Sequence, residues 1–285
     1  MRRNHLTTKL SISTMLLSIC SSVIGLFYPF AQSSITWIDK FNQPVQTYGK
    51  TIFYNDSIMV ATANVSTDIV ILLLSVILLF VHLKFKSKMK NLLMLCLHSI
   101  YLYIYATYSL SIVLNPLFFL YVLLMGINFY LVILLMITNN TFNFSHISAS
   151  KTIGVFYIVV GSIVGLIWIS EPLLALLLQQ PHPQIGYPTM FTHALDLAII
   201  VPLLYFSGYQ VIKGDKSKII FGLPVLAILV TLFPTILLMT YFQIAAGIQF
   251  SLIEVMSMIV SFLVLSISGF VMLVFIFKGV KVNEN

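Results

Sequence analysis

The stretch DIVILLLSVILLFVHLKFKSKMK, from Asp68 to Lys90, decides the fold. It runs from one carboxylate through an almost unbroken apolar segment into a turn carrying Lys84, Lys86, Lys88 and Lys90. A helix needs ~20 apolar residues to cross ~30 Å of hydrocarbon, where only a helix or a closed barrel satisfies its own backbone. Clustered lysines at one end also orient the span, because basic residues collect on the cytoplasmic side.

The same unit recurs along the chain. Apolar runs at about 10–30, 67–83, 91–114, 116–138, 152–178, 193–212, 219–242 and 250–277 predict an all-α integral membrane protein of eight transmembrane helices. Arg2, Arg3 and Lys9 precede the first run, and Lys151 follows the fourth. Lys213, Lys216 and Lys218 follow the sixth, with Lys278 and Lys281 after the last; Lys40 and Lys50 fall on the opposite side. Both termini are therefore expected in the cytoplasm of a multi-pass protein of the cell membrane.

Composition agrees. The chain has 285 residues, 59% hydrophobic and 8% charged, whereas soluble proteins carry about 25% charged residues. The net charge of +7 sits in short loops, where it reflects orientation and contact with the lipid bilayer rather than nucleic acid. Cys20 and Cys96 lie inside spans and read as small hydrophobes. The first span begins like a secretory signal, but its apolar stretch exceeds the usual ~7–15 residues, so it reads as an uncleaved helix.

Ser22-Val23-Ile24-Gly25-Leu26-Phe27-Tyr28 has an echo in Ser162-Ile163-Val164-Gly165-Leu166-Ile167-Trp168. Each copy precedes a helix with an outer Asp (Asp68, Asp196) and a basic turn, Lys86-Ser87-Lys88 or Lys216-Ser217-Lys218. The pattern suggests a tandem repeat of two four-helix units, residues 1–138 and 152–285, joined by a polar cytoplasmic link at 139–151. Within the outer loop, 31–66, Thr47 to Tyr54 and Ser57 to Val65 read as a hairpin about Asn55-Asp56 that could cap the outer mouth. Asn55 and Asn64 head glycosylation sequons.

By these boundaries Asp68, Glu171, Asp196 and Glu254 lie at one level, one to two turns below the outer surface. Helical phase joins Asp68 to Ser75 and His82, and Glu254 to Ser257, Ser261 and Ser268. It also puts His98, Tyr101, Tyr105 and Tyr108 on one face, and His193 beside Asp196. A charge facing lipid costs at least ~2.5 kcal/mol at the bilayer centre, so such groups are expected against other helices or water. The functional expectation is an outward-facing acidic pocket of Asp68, Glu171, His193, Asp196 and Glu254, with Ser75, Ser257, Ser261 and Ser268 as a polar path. It would bind or transport a small cationic solute or a proton. The structural alternative is hydrated interfacial carboxylates, Asp68 at a helix N-terminus and a tyrosine stripe that merely packs.

Two other functions stand beside transport. One is a non-transporting sensor or assembly protein using the outer loop, its protein partners unknown. The other is an intramembrane metal-dependent hydrolase, which lacks an H-E-x-x-H motif. Nucleophile elbows, phosphate loops and dinucleotide fingerprints are missing too, so no cofactor is expected and an enzyme is disfavoured. Gly161, Gly165 and Trp168 share a face suited to close helix packing, and Pro202, Pro224 and Pro234 interrupt the sixth and seventh helices.

The runs Trp168-Ile169-Ser170-Glu171-Pro172, Pro181-His182-Pro183 and Thr192-His193-Ala194-Leu195-Asp196-Leu197 resemble uncharacterised bacterial multi-pass membrane proteins with a W…P…T-H-x-L-D-L pattern. The resemblance implies a bacterial cytoplasmic membrane and no function.

Overall fold

The computed structural model describes residues 2–38, 42, 44–85, 87–138, 142–178 and 190–282, without the side chains of 2–5, 87–88, 138, 171, 175, 178 and 282. It is all-helical apart from two short strand pairs: α1 Arg2–Phe27, α2 Ile58–Lys84, α3 Ser87–Ser111, α4 Phe118–Thr138, α5 Ser150–Leu178, α6 Phe191–Leu195, α7 Val201–Ile212, α8 Ile219–Ala245 and α9 Leu252–Gly279. A π-helical turn, Asp196–Ile200, joins α6 to α7 as one interrupted span. Among the described residues eight spans are thus long and apolar enough to cross a membrane.

The interruption has a local cause. Pro202 brings no N–H for the carbonyl four residues back, and its ring collides with that carbonyl in a regular helix. A widened turn just before it makes room. Pro224 and Pro234, by contrast, lie inside α8, which runs on unbroken.

One face of the bundle carries the lysine-rich turns. There β3 (Phe142–Asn143) pairs antiparallel with β4 (Lys281–Val282). The Lys216 ammonium donates to the carbonyls of Ser145 at 2.9 Å and Ile147 at 2.8 Å. The described part of the 139–151 link, the turn after the sixth span and residues 281–282 therefore meet on this basic face. Asn139, Asn140 and Thr141 of the link, and Pro181, His182 and Pro183, lie outside the described residues.

The opposite face carries the long loop, and here the structure corrects the hairpin. Residues 58–65 form no strand; they are the first two turns of α2, which begins nine residues before the expected 67. Ser57 starts it, its hydroxyl accepting from Val60 N at 3.3 Å. The strand pair lies earlier, β1 Thr36–Ile38 against β2 Pro44–Gln46. Bridges from Ala31 to Lys50 and from Thr47 to Ser57 then tie the loop to the start of α2. Ile52 and Phe53 are buried with Ala61 and Val65, against Ile24, Ile112 and Phe242. The loop is a folded plug. Asn64 is buried inside α2, which removes its sequon from access.

Helix α3 is the most enclosed span and α9 the least. α3 packs on α2, α4 and α8, while α9 leans chiefly on α8. Lipid tails are as apolar as leucine, so close approach at small residues holds such helices together. Gly161 and Gly165 do face α7, 3.3 Å from Leu204 Cβ and 3.6 Å from Val201 Cγ1 as measured from an added Cβ. The tightest contact of that pair is elsewhere: a Cβ on Gly208 would lie 2.6 Å from the Gly154 carbonyl oxygen.

Candidate functional site

Hydroxyls line one side of α1. Thr7, Ser11, Thr14, Ser18, Ser21 and Ser22 recur every three or four residues and are all buried. This side meets α2 and α4, and with the polar faces of α2 and α3 it forms a buried seam running from the plug toward the basic face.

Asp68 occupies the plug end. It lies ten residues inside α2, about 15 Å from the helix start at 1.5 Å per residue, so it is not a helix-terminal carboxylate. Its side chain is 0% exposed. Oδ1 accepts from the Ser22 hydroxyl at 3.2 Å and the Tyr108 hydroxyl at 3.1 Å. Oδ2 has no hydrogen-bond partner among the described residues and presses on Gly25, where a Cβ would collide with it. The Tyr108 hydroxyl also lies 2.9 Å from the Asn64 carbonyl. One hydroxyl proton therefore faces two acceptors, which fully pair if Tyr108 donates to Asn64 and a protonated Asp68 donates to Tyr108.

Tyrosines continue the seam. Ser75 gives its proton to the Ile71 carbonyl at 2.8 Å, so the Tyr101 hydroxyl, 2.7 Å away, donates to Ser75. Ser21 likewise bonds the Ser18 carbonyl and takes the Tyr105 proton at 3.2 Å. The Tyr101 and Tyr105 rings stack at 6.3 Å, and Tyr121 stands edge-on to Tyr108 at 5.1 Å. The Tyr121 hydroxyl is buried beside Asn115. At the basic end Ser11 lies 2.8 Å from His82 Nε2 and 2.7 Å from His98 Nε2, and His98 Nδ1 lies 2.8 Å from Asn128 Oδ1.

Above the seam, in the plug, Asp56 accepts from Val113 N at 2.9 Å. Burial pushes its carboxyl up to about 7, against the pull of that one N–H.

Asp196 lies in a second cluster, off the opposite face of α3. Its Oδ1 accepts from the Tyr103 hydroxyl at 3.0 Å, and the Trp168 indole also bonds the carboxylate. The His193 ring stands edge-on to Trp168 at 4.4 Å. Glu254 is in neither cluster. It closes a capping box at the start of α9, accepting from Ser251 N at 2.7 Å, and is exposed. Ser257 and Ser261 are exposed on the same helix, and Ser268 bonds the Leu265 carbonyl at 2.9 Å. The face of α9 that packs carries Ser266, which donates to the Val230 carbonyl at 2.6 Å, and Gly269. Glu171 is on α5, with its side chain outside the description.

The groups expected around one pocket thus occupy separate places: Asp68 with Ser75 on the seam, His193 with Asp196 beyond α3, and Glu254 with its serines at the periphery. Among the described residues no group of three or more His, Cys, Asp or Glu side chains could hold a metal ion. Sequence reasoning gave the α1 hydroxyls and Asn128 no part in a site and read Asn64 only as a sequon; the three-and-four spacing from Thr7 to Ser22 was the available signal. Compared with known protein families, curated proteins and solved structures, the chain matches none.

Proposed function

We propose that this polytopic membrane protein binds protons at Asp68 and conducts them along the seam between α1, α2 and α3. The supporting observation is the enclosed Asp68 carboxyl, which among the described residues has one oxygen unpartnered and two hydroxyls as its hydrogen-bond donors. Ionised there, it lacks the pairing that a charge in hydrocarbon requires. A proton removes that cost, so the site's charge depends on its occupant. Gly25 closes the space beside Oδ2, which favours a proton over a larger cationic solute. On the lysine distribution the plug is expected outside and His82 inside, so protons would enter beneath the plug.

The test is proton flux into proteoliposomes carrying an internal pH dye, driven by a potassium diffusion potential. Asp68→Asn is expected to reduce flux at least tenfold while Glu254→Gln leaves it unchanged. Undiminished flux in Asp68→Asn overturns the proposal. A non-transporting sensor is the second reading, favoured by the packed plug; for it, deleting residues 33–56 abolishes function and Asp68→Asn does not.

A further inference from the structure

Two imidazoles meet one serine at the basic end of the seam, and the hydrogens there can be assigned. Asn128 Nδ2 donates to the Leu124 carbonyl at 2.7 Å; the flipped amide would set two acceptors against each other. Its Oδ1 therefore faces His98 Nδ1, which carries the hydrogen. His98 Nε2 is then a bare acceptor and takes the Ser11 proton at 2.7 Å. The Ser11 oxygen in turn accepts from His82 Nε2–H at 2.8 Å. His82 Nδ1 is left bare, buried and without a partner.

We propose that His82, Ser11 and His98 form a second proton-binding site, in which the serine hydroxyl passes one proton between the two imidazoles. A solvent proton from the basic face binds His82 Nδ1. The hydrogen on His82 Nε2 moves to the Ser11 oxygen, and the Ser11 hydrogen moves to His98 Nε2. His82 is left neutral with its hydrogen on Nδ1, Ser11 is regenerated, and His98 is an imidazolium held by Asn128. Reversal returns the proton to solvent.

The surroundings suit a shared proton. Lys90 of α3 is the charged group bearing on His82, and the Tyr101 ring lies 6.0 Å from His98. α1 contributes Ser11 and α4 Asn128. α8 packs against both α2 and α3, and its only titratable side chain is Tyr241, near its far end.

The site deepens the proton reading above but rests on its own hydrogen bonds, and ring-nitrogen NMR tests it. Full-length protein labelled with 15N-histidine is placed in lipid nanodiscs and titrated, with His82→Gln and His98→Gln used for assignment. In the wild type the two rings are expected to shift together at one midpoint, with His98 starting as the Nδ1–H tautomer. Ser11→Ala separates them into two midpoints, and Ser11→Thr rejoins them. Identical titrations in wild type and Ser11→Ala, or a resting Nε2–H tautomer at His98, overturn the site. Asp68→Asn should keep the shared midpoint while reducing flux at least tenfold. Flux that survives Asp68→Asn with the midpoint intact removes the Asp68 reading and leaves the histidine site standing.

Discussion

Asp56 and Asp68 show how burial makes a short side chain matter. Asp56 accepts one backbone N–H inside the plug, and its carboxyl titrates at about 7 rather than the ordinary 3.8. The folded state therefore holds a proton that the unfolded chain has released between these values. Its contribution to stability is full below the unfolded value and is lost as pH rises through about 7. Thermal unfolding in detergent should show wild type losing stability between about pH 4 and pH 7 and levelling off above, with Asp56→Asn flatter over that window. Equal slopes would mean that Asp56 is better solvated than its packing implies. Asp68, Ser75 and His82 were legible from their spacing of seven. Their partners were not, because serine and asparagine are common in membrane helices and only packing shows which are enclosed. Glu254 was assigned by depth and by its phase with Ser257, Ser261 and Ser268, although Ser251-Leu252-Ile253-Glu254 already had the spacing of a capping box.

At the scale of elements, the apolar runs located the helices, but their ends depended on chemistry that hydropathy does not register. Ser57 carries α2 upward because its hydroxyl can cap a helix, and β-branched residues nearby were misread as strand. The π-helical turn at Asp196 follows from Pro202, whose effect a hydropathy profile cannot locate. Helix contact by contrast follows space around glycine. Gly208→Ala would press a methyl group onto the Gly154 backbone, and overpacking of this kind costs about 1–3 kcal/mol. Gly165→Ala would meet only Val201 methyls at 3.6 Å or more, and should change stability little. Comparing the melting temperatures of the two variants checks this: Gly208→Ala should fall by several degrees and Gly165→Ala should stay near wild type. Gly25→Ala belongs with the first, but its steric conflict is with the Asp68 carboxylate itself.

For the whole molecule, the proposed duplication places Gly165 and Asp196 where the first half has Gly25 and Asp68. In the structure α1 packs with α2, α3 with α4, α5 with α7 and α8 with α9, while α8 also packs against α2 and α3. The chemistry does not repeat: Gly25 touches its aspartate, whereas Gly165 faces Val201 and Asp196 is served by Trp168 and Tyr103. Orientation in the membrane carries more consequence, because it decides which end of the seam meets which compartment. The structure gathers Lys216, the 142–147 link and Lys281 on one face and Lys50 with the plug on the other. Basic residues resist transfer across the membrane, so the lysine-rich face is expected in the cytoplasm. Single cysteines at Lys50 and Lys213, both exposed, in a Cys20→Ser, Cys96→Ala background, test this with a membrane-impermeant maleimide. In intact cells Lys50→Cys should label and Lys213→Cys should label only after permeabilisation. The reverse pattern would invert the protein, put His82 outside, and make the plug a cytoplasmic cap over Asp68.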